Sequence, residues 1–154
     1  MLKIKLLTTG ALSEKYWRDA CSEYIKRLGA YCSFSEECFK EVRLSQNPKA
    51  AEMSAALDAE GKRILDCVPP RAMLVALCVE GKEYSSPELS EIIRNAAVNG
   101  TSEIVFVIGS SYGLSDAVKN RADVKLSMSR LTFPHQLARV MLLEAVYRAL
   151  DISR

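Results

Sequence analysis

A continuous apolar run in the second half of the chain constrains the fold more than any other feature. Residues 104–108 read IVFVI, which is too short for a helix and rich in β-branched side chains. Such a run predicts a strand buried on both faces, as in a parallel sheet. Gly109 and Gly113 follow and bracket small polar residues, so the chain must turn sharply there. Because open parallel sheets bind ligands beyond the carboxyl ends of their strands, we expect a site at this turn.

Strands and helices alternate along the rest of the chain. Apolar periodicity predicts strands over 1–8, within 31–44, and over 73–79 and 124–128, with 80–82 as an exit loop. Helices are predicted from Ser13 to Gly29, from Lys49 to Cys67, from Ser86 to Asn99, from Ser115 to Asn120 and from Pro134 to Ile152. The alternation predicts an α/β layer fold with a mostly parallel sheet.

Composition narrows the possible classes of protein. A chain of 154 residues, 49% hydrophobic and 26% charged, is expected to form one domain over 1–154. No apolar run approaches the roughly 20 residues of a membrane span, and no secretory signal is visible, so we expect a cytoplasmic protein. Five cysteines without a C-x-x-C pair predict neither a disulfide framework nor a metal site. A net charge of +2 is too small to indicate a nucleic-acid partner by itself.

The glycine turn allows two interpretations. Backbone N–H groups after a buried strand could hold an anionic or adenosine-bearing ligand. A tight turn between strand and helix also needs glycine when nothing binds. The turn matches neither the dinucleotide fingerprint nor the P-loop, which makes nucleotide triphosphates and dinucleotides poor candidates.

A serine hydrolase is a more specific alternative. Gly109, Ser111 and Gly113 fit the G-x-S-x-G nucleophile elbow, and Ser111, Asp123 and His135 follow in the order nucleophile, acid, base. However, about six predicted strands leave no room for the usual hydrolase sheet. Asp123 also begins a strand, whereas the catalytic acid of that fold stands in a loop after one.

The final helix is apolar on more than one side, which is typical of deep burial or of a subunit interface. Charged side chains interrupt it, among them Arg139, Glu144 and Arg148. An ion pair of Arg139 and Glu144 across an interface is as good an explanation as a role in a substrate site. His135, at the start of the helix, could equally be a hydrogen-bonded structural residue, and a single histidine forms no metal site.

Several motifs together resemble one known family. They are IGSSYGL at 108–114, LSMSRLTFPHQ at 126–136, Arg139-Val140, Glu144, YRA at 147–149, and EKYW at 14–17 with Tyr24 and RLG at 27–29. Nearly the whole chain is covered. The sequence resembles the ribosomal RNA large-subunit methyltransferase H family, small bacterial SPOUT enzymes that methylate N3 of a pseudouridine in large-subunit (23S) ribosomal RNA.

The resemblance implies a particular fold and cofactor. The expected fold is the SPOUT-type α/β knot, in which the C-terminal segment threads a preceding loop as a trefoil knot, an exception to the rule that chains are unknotted. It also implies a homodimer that binds S-adenosylmethionine in the knot and acts on ribosomal RNA in the assembled ribosome. By position, the cofactor-binding residues would be Leu77, Gly109, Met128, Ser129, Arg130, Leu131, Thr132 and Phe133.

The reaction that the resemblance implies requires few catalytic groups from the protein. The enzyme must align N3 with the methyl carbon and help remove the imide proton. We expect His135, Arg139 and Arg148 to line the substrate side, in positioning or electrostatic roles.

The sequence departs from the family in two places. Ser110 stands where the family usually has a second glycine, and its side chain would crowd the cofactor unless its φ is negative. The family commonly ends in a Tyr-His tail, whereas this sequence ends at DISR, 151–154, so Arg154 and a partner subunit are candidates to substitute. A catalytically weakened homologue that binds cofactor and ribosome is therefore the alternative function.

Overall fold

Five parallel strands and five helices alternate in the computed structural model, which describes residues 1–153. The strands are β1 (Lys3–Thr9), β2 (Ser33–Phe39), β3 (Met73–Glu83), β4 (Glu103–Ile108) and β5 (Val124–Ser127). The helices are α1 (Lys15–Leu28), α2 (Ala50–Asp66), α3 (Ser86–Val98), α4 (Asp116–Arg121) and α5 (His135–Ser153). The predicted α/β class with a parallel sheet is confirmed, with five strands in place of about six.

The sheet is centred on the apolar strand that the sequence singles out. The strand order is β2-β1-β4-β3-β5, and every neighbouring pair is parallel. Ile104, Phe106 and Ile108 of β4 point into one core, whereas Val105 and Val107 point into the other. The predicted burial of this strand on both faces is therefore confirmed.

Helices cover both faces of the sheet. Helices α1, α3 and α5 supply the buried side chains of one core, including Leu28, Ile93 and Leu142. Helices α2 and α4 supply Ile64 and Val118 to the other core. Because all strands run in the same direction, their carboxyl ends meet at one edge, and the loops that follow them are brought together there.

Two helix starts differ from the predictions. Glu14, not Ser13, is the N-cap of α1 and forms no side-chain cap. The backbone N–H of Ser13 instead donates to Gln136 Oε1 at 2.8 Å, joining the start of α1 to the start of α5. The N-cap of α3 is Ser85, one residue before the predicted start, because Ser85 and Glu88 form a capping box; the helix itself spans Ser86–Val98.

Strand β3 is longer than predicted. The expected exit loop 80–82 belongs to the strand, which continues to Glu83 and pairs with β5. An irregularity lets Leu77 and Lys82 both lie opposite Leu126. A Cβ at Gly81 would lie 2.6 Å from the carbonyl oxygen of Lys125, so glycine permits this close approach.

Within residues 1–153, no helix is long and apolar enough to cross a membrane.

Buried thiols should make the protein sensitive to alkaline pH. Burial raises the pKa of the Cys32 thiol from its ordinary value of 9.0 to about 11. The folded state therefore keeps a proton that the unfolded state loses. Stability is intact below pH 9 and falls as pH rises toward 11, by about 2–3 kcal/mol for this residue. Urea unfolding at several pH values should show a shallower alkaline decline for Cys32→Ala.

The matched control is Cys38→Ser, since the Cys38 side chain is exposed. Its alkaline decline should follow that of the unmodified protein. Equal pH slopes for Cys32→Ala and the unmodified protein would contradict the prediction, whatever the absolute loss of stability in the variant.

Candidate active site

A cavity of about 350 Å³ lies at the carboxyl edge of the sheet. Its walls come from the ends of β3 and β4, from the segment before α5 and from the first turn of α5. Seven of the eight residues expected to bind cofactor line it: Leu77, Gly109, Met128, Ser129, Leu131, Thr132 and Phe133. The eighth, Arg130, is exposed and is not among the lining residues of the described chain. Residues up to 56 positions apart in the sequence therefore line the same cavity.

The glycine turn is explained by its own geometry. Ser110 and Gly113 form an antiparallel bridge, in which the Gly113 N–H donates to the Ser110 carbonyl at 2.9 Å. A Cβ at Gly109 would overlap the Gly113 carbonyl group, and Gly113 has a φ of +94°. Both glycines are therefore required to close the turn, and they carry no independent information about a ligand.

Ser110 fits into the turn without backbone strain. No residue other than glycine within the described chain has a positive φ, so Ser110 lies outside the left-handed region. Its side chain is 7% exposed and lines the cavity. Its Oγ is buried without a hydrogen-bond partner among residues 1–153. A buried hydroxyl without a partner is costly, which a ligand that bonds to it would relieve.

The segment between β5 and α5 holds its own shape. Ser127 Oγ donates to the Ser129 carbonyl at 3.0 Å, and the Leu131 N–H donates to Ser129 Oγ at 3.0 Å. Leu131 is nevertheless 70% exposed at the cavity. An ordered loop that leaves a large apolar side chain in solvent is suited to cover a ligand.

One ion pair stands in the cavity wall. Lys119 Nζ of α4 lies 2.5 Å from Glu80 Oε1 of β3, and both residues line the cavity. The hydrogen bond from Lys119 lowers the pKa of the Glu80 carboxyl, and the same bond raises the pKa of Lys119. Burial raises the pKa of the neighbouring Cys78 thiol, which therefore stays protonated. The pair keeps both charges in place at neutral pH.

Sequence reasoning missed this pair. Glu80 had a usable signal, because it follows an apolar strand at the ligand-binding edge. Lys119 had none, since only the packing of α4 beside β3 brings it to Glu80.

The three expected catalytic residues are dispersed. His135 lines the cavity, and its Nε2 would lie 3.1 Å from a Cβ built on Gly10. Arg139 is 7% exposed, pairs with Glu36 at 3.1 Å and lines a different cavity. Arg148 pairs with Glu144 at 3.0 Å. Thirteen helical positions separate it from His135, which is roughly 20 Å along α5.

The charged side chains of α5 form ion pairs within the subunit. Arg139 bonds to Glu36 of β2, and Glu144 bonds to Arg148 of the same helix. An Arg139–Glu144 pair across an interface stays a prediction, because it involves a second subunit.

The serine hydrolase arrangement is not assembled. Asp123 precedes β5 at the amino edge of the sheet, where its Oδ2 accepts from the Leu74 N–H at 2.8 Å and lies 3.1 Å from Arg121. Ser111 and His135 lie at the opposite edge. Ser111 Oγ contacts Glu41 Oε1 at 3.4 Å. The predicted acid is thus separated from the predicted nucleophile by the length of the sheet.

The described residues also contain no group of three or more histidine, cysteine, aspartate or glutamate side chains that could hold a metal ion.

The family model described as "Predicted SPOUT methyltransferase" matches residues 2–154. This chain belongs to the SPOUT methyltransferases. Full-length relatives agree: the ribosomal RNA large subunit methyltransferase H of Streptococcus thermophilus (strain CNRZ 1066) is 44% identical over 99% of this chain and 96% of its own length. The protein of the same name from Clostridium acetobutylicum is 45% identical with the same coverage.

A solved structure supports the fold of this SPOUT methyltransferase. A probable methylase family protein from Haemophilus influenzae Rd KW20 matches 98% of the chain with a TM-score of 0.52 and 12% sequence identity. The chain spans 66% of that protein's length. At this identity the likeness concerns the arrangement of strands and helices alone.

The turn of this SPOUT methyltransferase should tolerate no side chain at Gly109. In Gly109→Ala the new methyl group meets backbone atoms of Gly113, which must move. We expect a loss of more than about 3 kcal/mol in the free energy of unfolding, measured by urea titration. Gly100→Ala is the control, since its φ is +91° but the space is open. That variant should lose only about 1 kcal/mol.

If Gly109→Ala were as stable as Gly100→Ala, the turn would be able to open without cost, and the close contact between Gly109 and Gly113 would not require glycine.

Proposed function

We propose that this protein transfers a methyl group from S-adenosylmethionine to large-subunit ribosomal RNA, at N3 of a pseudouridine. The observation that carries the proposal is the cavity at the carboxyl edge, where the ends of β3 and β4 meet the segment before α5. Membership of the SPOUT methyltransferases supports the reaction type. The names of relatives at 44–45% identity support ribosomal RNA as the substrate.

The cavity suits S-adenosylmethionine. A volume of about 350 Å³ is in the range of small-molecule sites. Leu77, Met128, Leu131 and Phe133 offer apolar surface to the adenine and to the carbon chain beside the sulfonium of the cofactor. The buried Ser110 hydroxyl has no hydrogen-bond partner within residues 1–153 and can bond to a polar group of the ligand. We therefore assign the eight predicted residues, including the exposed Arg130, to cofactor binding.

The bound cofactor supplies an activated methyl group on its sulfonium. The protein has to bring the base to the mouth of the cavity, exclude water and assist departure of the imide proton. His135 is the titratable side chain at the start of α5 that lines this cavity, so we assign it to the substrate side. A base in a structured RNA loop is recognised by shape and by its exposed edges, which suits an open cavity mouth.

Arg148 can serve the same site only if a second subunit provides it. Within one subunit it lies roughly 20 Å from His135 along α5. Helix α5 keeps partly buried apolar residues, including Val140 and Ala145, at the margin of its core. We therefore include a homodimer in the proposal, together with a trefoil knot around the cavity and a cytoplasmic location with the ribosome. Arg154, the possible substitute for the family's tail, lies outside the described residues.

The test of the function combines cofactor binding with turnover. Calorimetric titration with S-adenosylmethionine should show one site per chain. Ribosomes that lack the modification should then accept one methyl group at N3 of a large-subunit pseudouridine, located by mass spectrometry of RNA fragments. Binding without methyl transfer would identify the weakened homologue, and no binding would refute the proposal.

Mixed dimers test whether two subunits form one site. His135→Ala and Arg148→Ala should each lower kcat by roughly 100-fold, because a positioned polar group is lost from the transition state. Co-purified heterodimers of the two variants keep one site with both residues intact. Their kcat should recover to about half of the unmodified value.

The kcat of the heterodimer should not recover if Arg148 acts within its own subunit. In that case each of the two sites lacks either His135 or Arg148. Sedimentation of both variants should show an unchanged mass, which excludes dissociation as the cause of lost activity.

A further inference from the structure

Two further cavities lie beside the ends of β1 and β2, and one of them reaches α1. One, of about 360 Å³, is lined by Gly10, Ala11, Cys38, Phe39, Lys40 and Glu41. The other, of about 380 Å³, includes Arg18, Glu36 and Arg139 and shares Ala11 and Cys38 with the first. We name these two connected cavities the side trough. Their common lining residues make them one depression along the protein surface.

The side trough begins beside His135. A Cβ at Gly10 would lie 3.1 Å from His135 Nε2 and 3.2 Å from Glu41 Oε1. Glu41 also accepts from Ser111, which lines the active-site cavity. One side of Gly10 therefore faces the candidate catalytic histidine, whereas Gly10 itself lines the trough. The active-site cavity and the side trough thus lie on either side of the contacts among Gly10, His135 and Glu41, so a polymer whose reacting base enters the cavity has its neighbouring nucleotide close to the trough.

The walls of the side trough are held in place. The Gly10 N–H donates to the Phe39 carbonyl at 2.8 Å. Arg63 donates to the Lys40 carbonyl at 2.9 Å, and the Val42 N–H donates to Glu60 at 2.9 Å. These bonds tie the segment after β2 to β1 and α2. The trough is therefore formed before any ligand binds, which lowers the entropic cost of binding.

The far end of the side trough is positively charged. Arg139 is neutralised by Glu36 there, although its Nε is buried without a hydrogen-bond partner among the described residues. Arg18 forms no ion pair within residues 1–153; its Nη1 donates only to the Leu12 and Ser13 carbonyls, both at 3.3 Å. Its guanidinium thus retains its full charge and several free N–H groups. Such a group suits a phosphate, which arginine binds through two parallel hydrogen bonds.

We propose that the side trough holds the RNA backbone next to the target nucleotide and that Arg18 contacts one of its phosphates. The inference rests on the proposed function, because it assumes that the base in the active-site cavity belongs to RNA. Phosphate contacts fix the position of a nucleic acid, whereas the base is recognised elsewhere. Arg18 is accordingly a positioning residue, and its loss should weaken RNA binding without slowing the bound enzyme.

The experiment measures binding of large ribosomal subunits by sedimentation at several salt concentrations. Arg18→Gln keeps a donor for the two carbonyls but removes the charge. We expect its Kd to rise roughly tenfold, as for loss of a hydrogen bond to a charged group. The slope of log K against log salt should fall by about 0.7, the value for one phosphate of a single strand. Arg18→Lys should retain the slope.

Lys26→Gln is the matched control, because Lys26 lies on α1, is exposed and forms no ion pair in the described chain. It should leave both Kd and slope unchanged. S-adenosylmethionine affinity, and kcat at saturating ribosomes, should be unchanged in all three variants. An Arg18→Gln protein with the unmodified slope would overturn the inference. The inference would also be overturned if the sedimenting mass of Arg18→Gln changed while the salt slope did not. That result would place a second copy of the chain over the side trough.

Failure of the proposed function gives a different pattern. If the unmodified protein binds ribosomes but transfers no methyl group, the proposed reaction is refuted. The salt dependence of Arg18→Gln binding still decides whether Arg18 contacts an RNA phosphate. Protein that does not bind ribosomes at all refutes both.

Discussion

The burial of β4 on both faces is the constraint on which the rest of the structure depends. Burial on both faces is typical of parallel strands, because helical crossovers cover both sides of the sheet and return each chain segment to the same edge. All carboxyl ends then meet, and the loops after β3, β4 and β5 enclose one cavity. The apolar run at 104–108 therefore determines both the layers of the fold and the location of the site.

The site itself combines rigid backbone with a few polar groups. The turn at Gly109 closes on Gly113, and the segment before α5 is tied by Ser129. Both hold their shape through their own hydrogen bonds, so little ordering remains when a ligand binds. Charges are placed around the cavity: the Glu80–Lys119 pair stands in its wall, and His135 stands at its rim. A donor with an inherently reactive methyl group needs this alignment more than it needs strong acids or bases.

Local sequence signals predicted secondary structure correctly where a segment's own residues determine its conformation. The strand at 104–108, the helix from Ala50 to Asp66 and the α/β order follow from periodicity and from Pro69-Pro70. Predictions failed where a contact from elsewhere intervened. Ser13 caps no helix because its Oγ accepts from Gln136 Nε2 instead, and residues 80–82 are strand because β5 pairs with them. The hydrolase reading failed for the same reason, since chain order does not reveal that Asp123 and Ser111 stand at opposite edges.

By itself, the sequence determined the class of fold, because apolar period and turn glycines are properties of short segments, and its resemblance to one family indicated seven of the residues that line the cavity. Only the tertiary structure decided which charged groups act together. Arg139 meets Glu36 from 103 positions away, and Arg148 is carried far from His135. Arg18 borders the side trough and forms no ion pair with any of the residues that the structure describes. Such pairings depend on how helices pack against the sheet. Charged side chains interact strongly only when they lie within a few ångströms of each other, and their separation in sequence does not predict that distance.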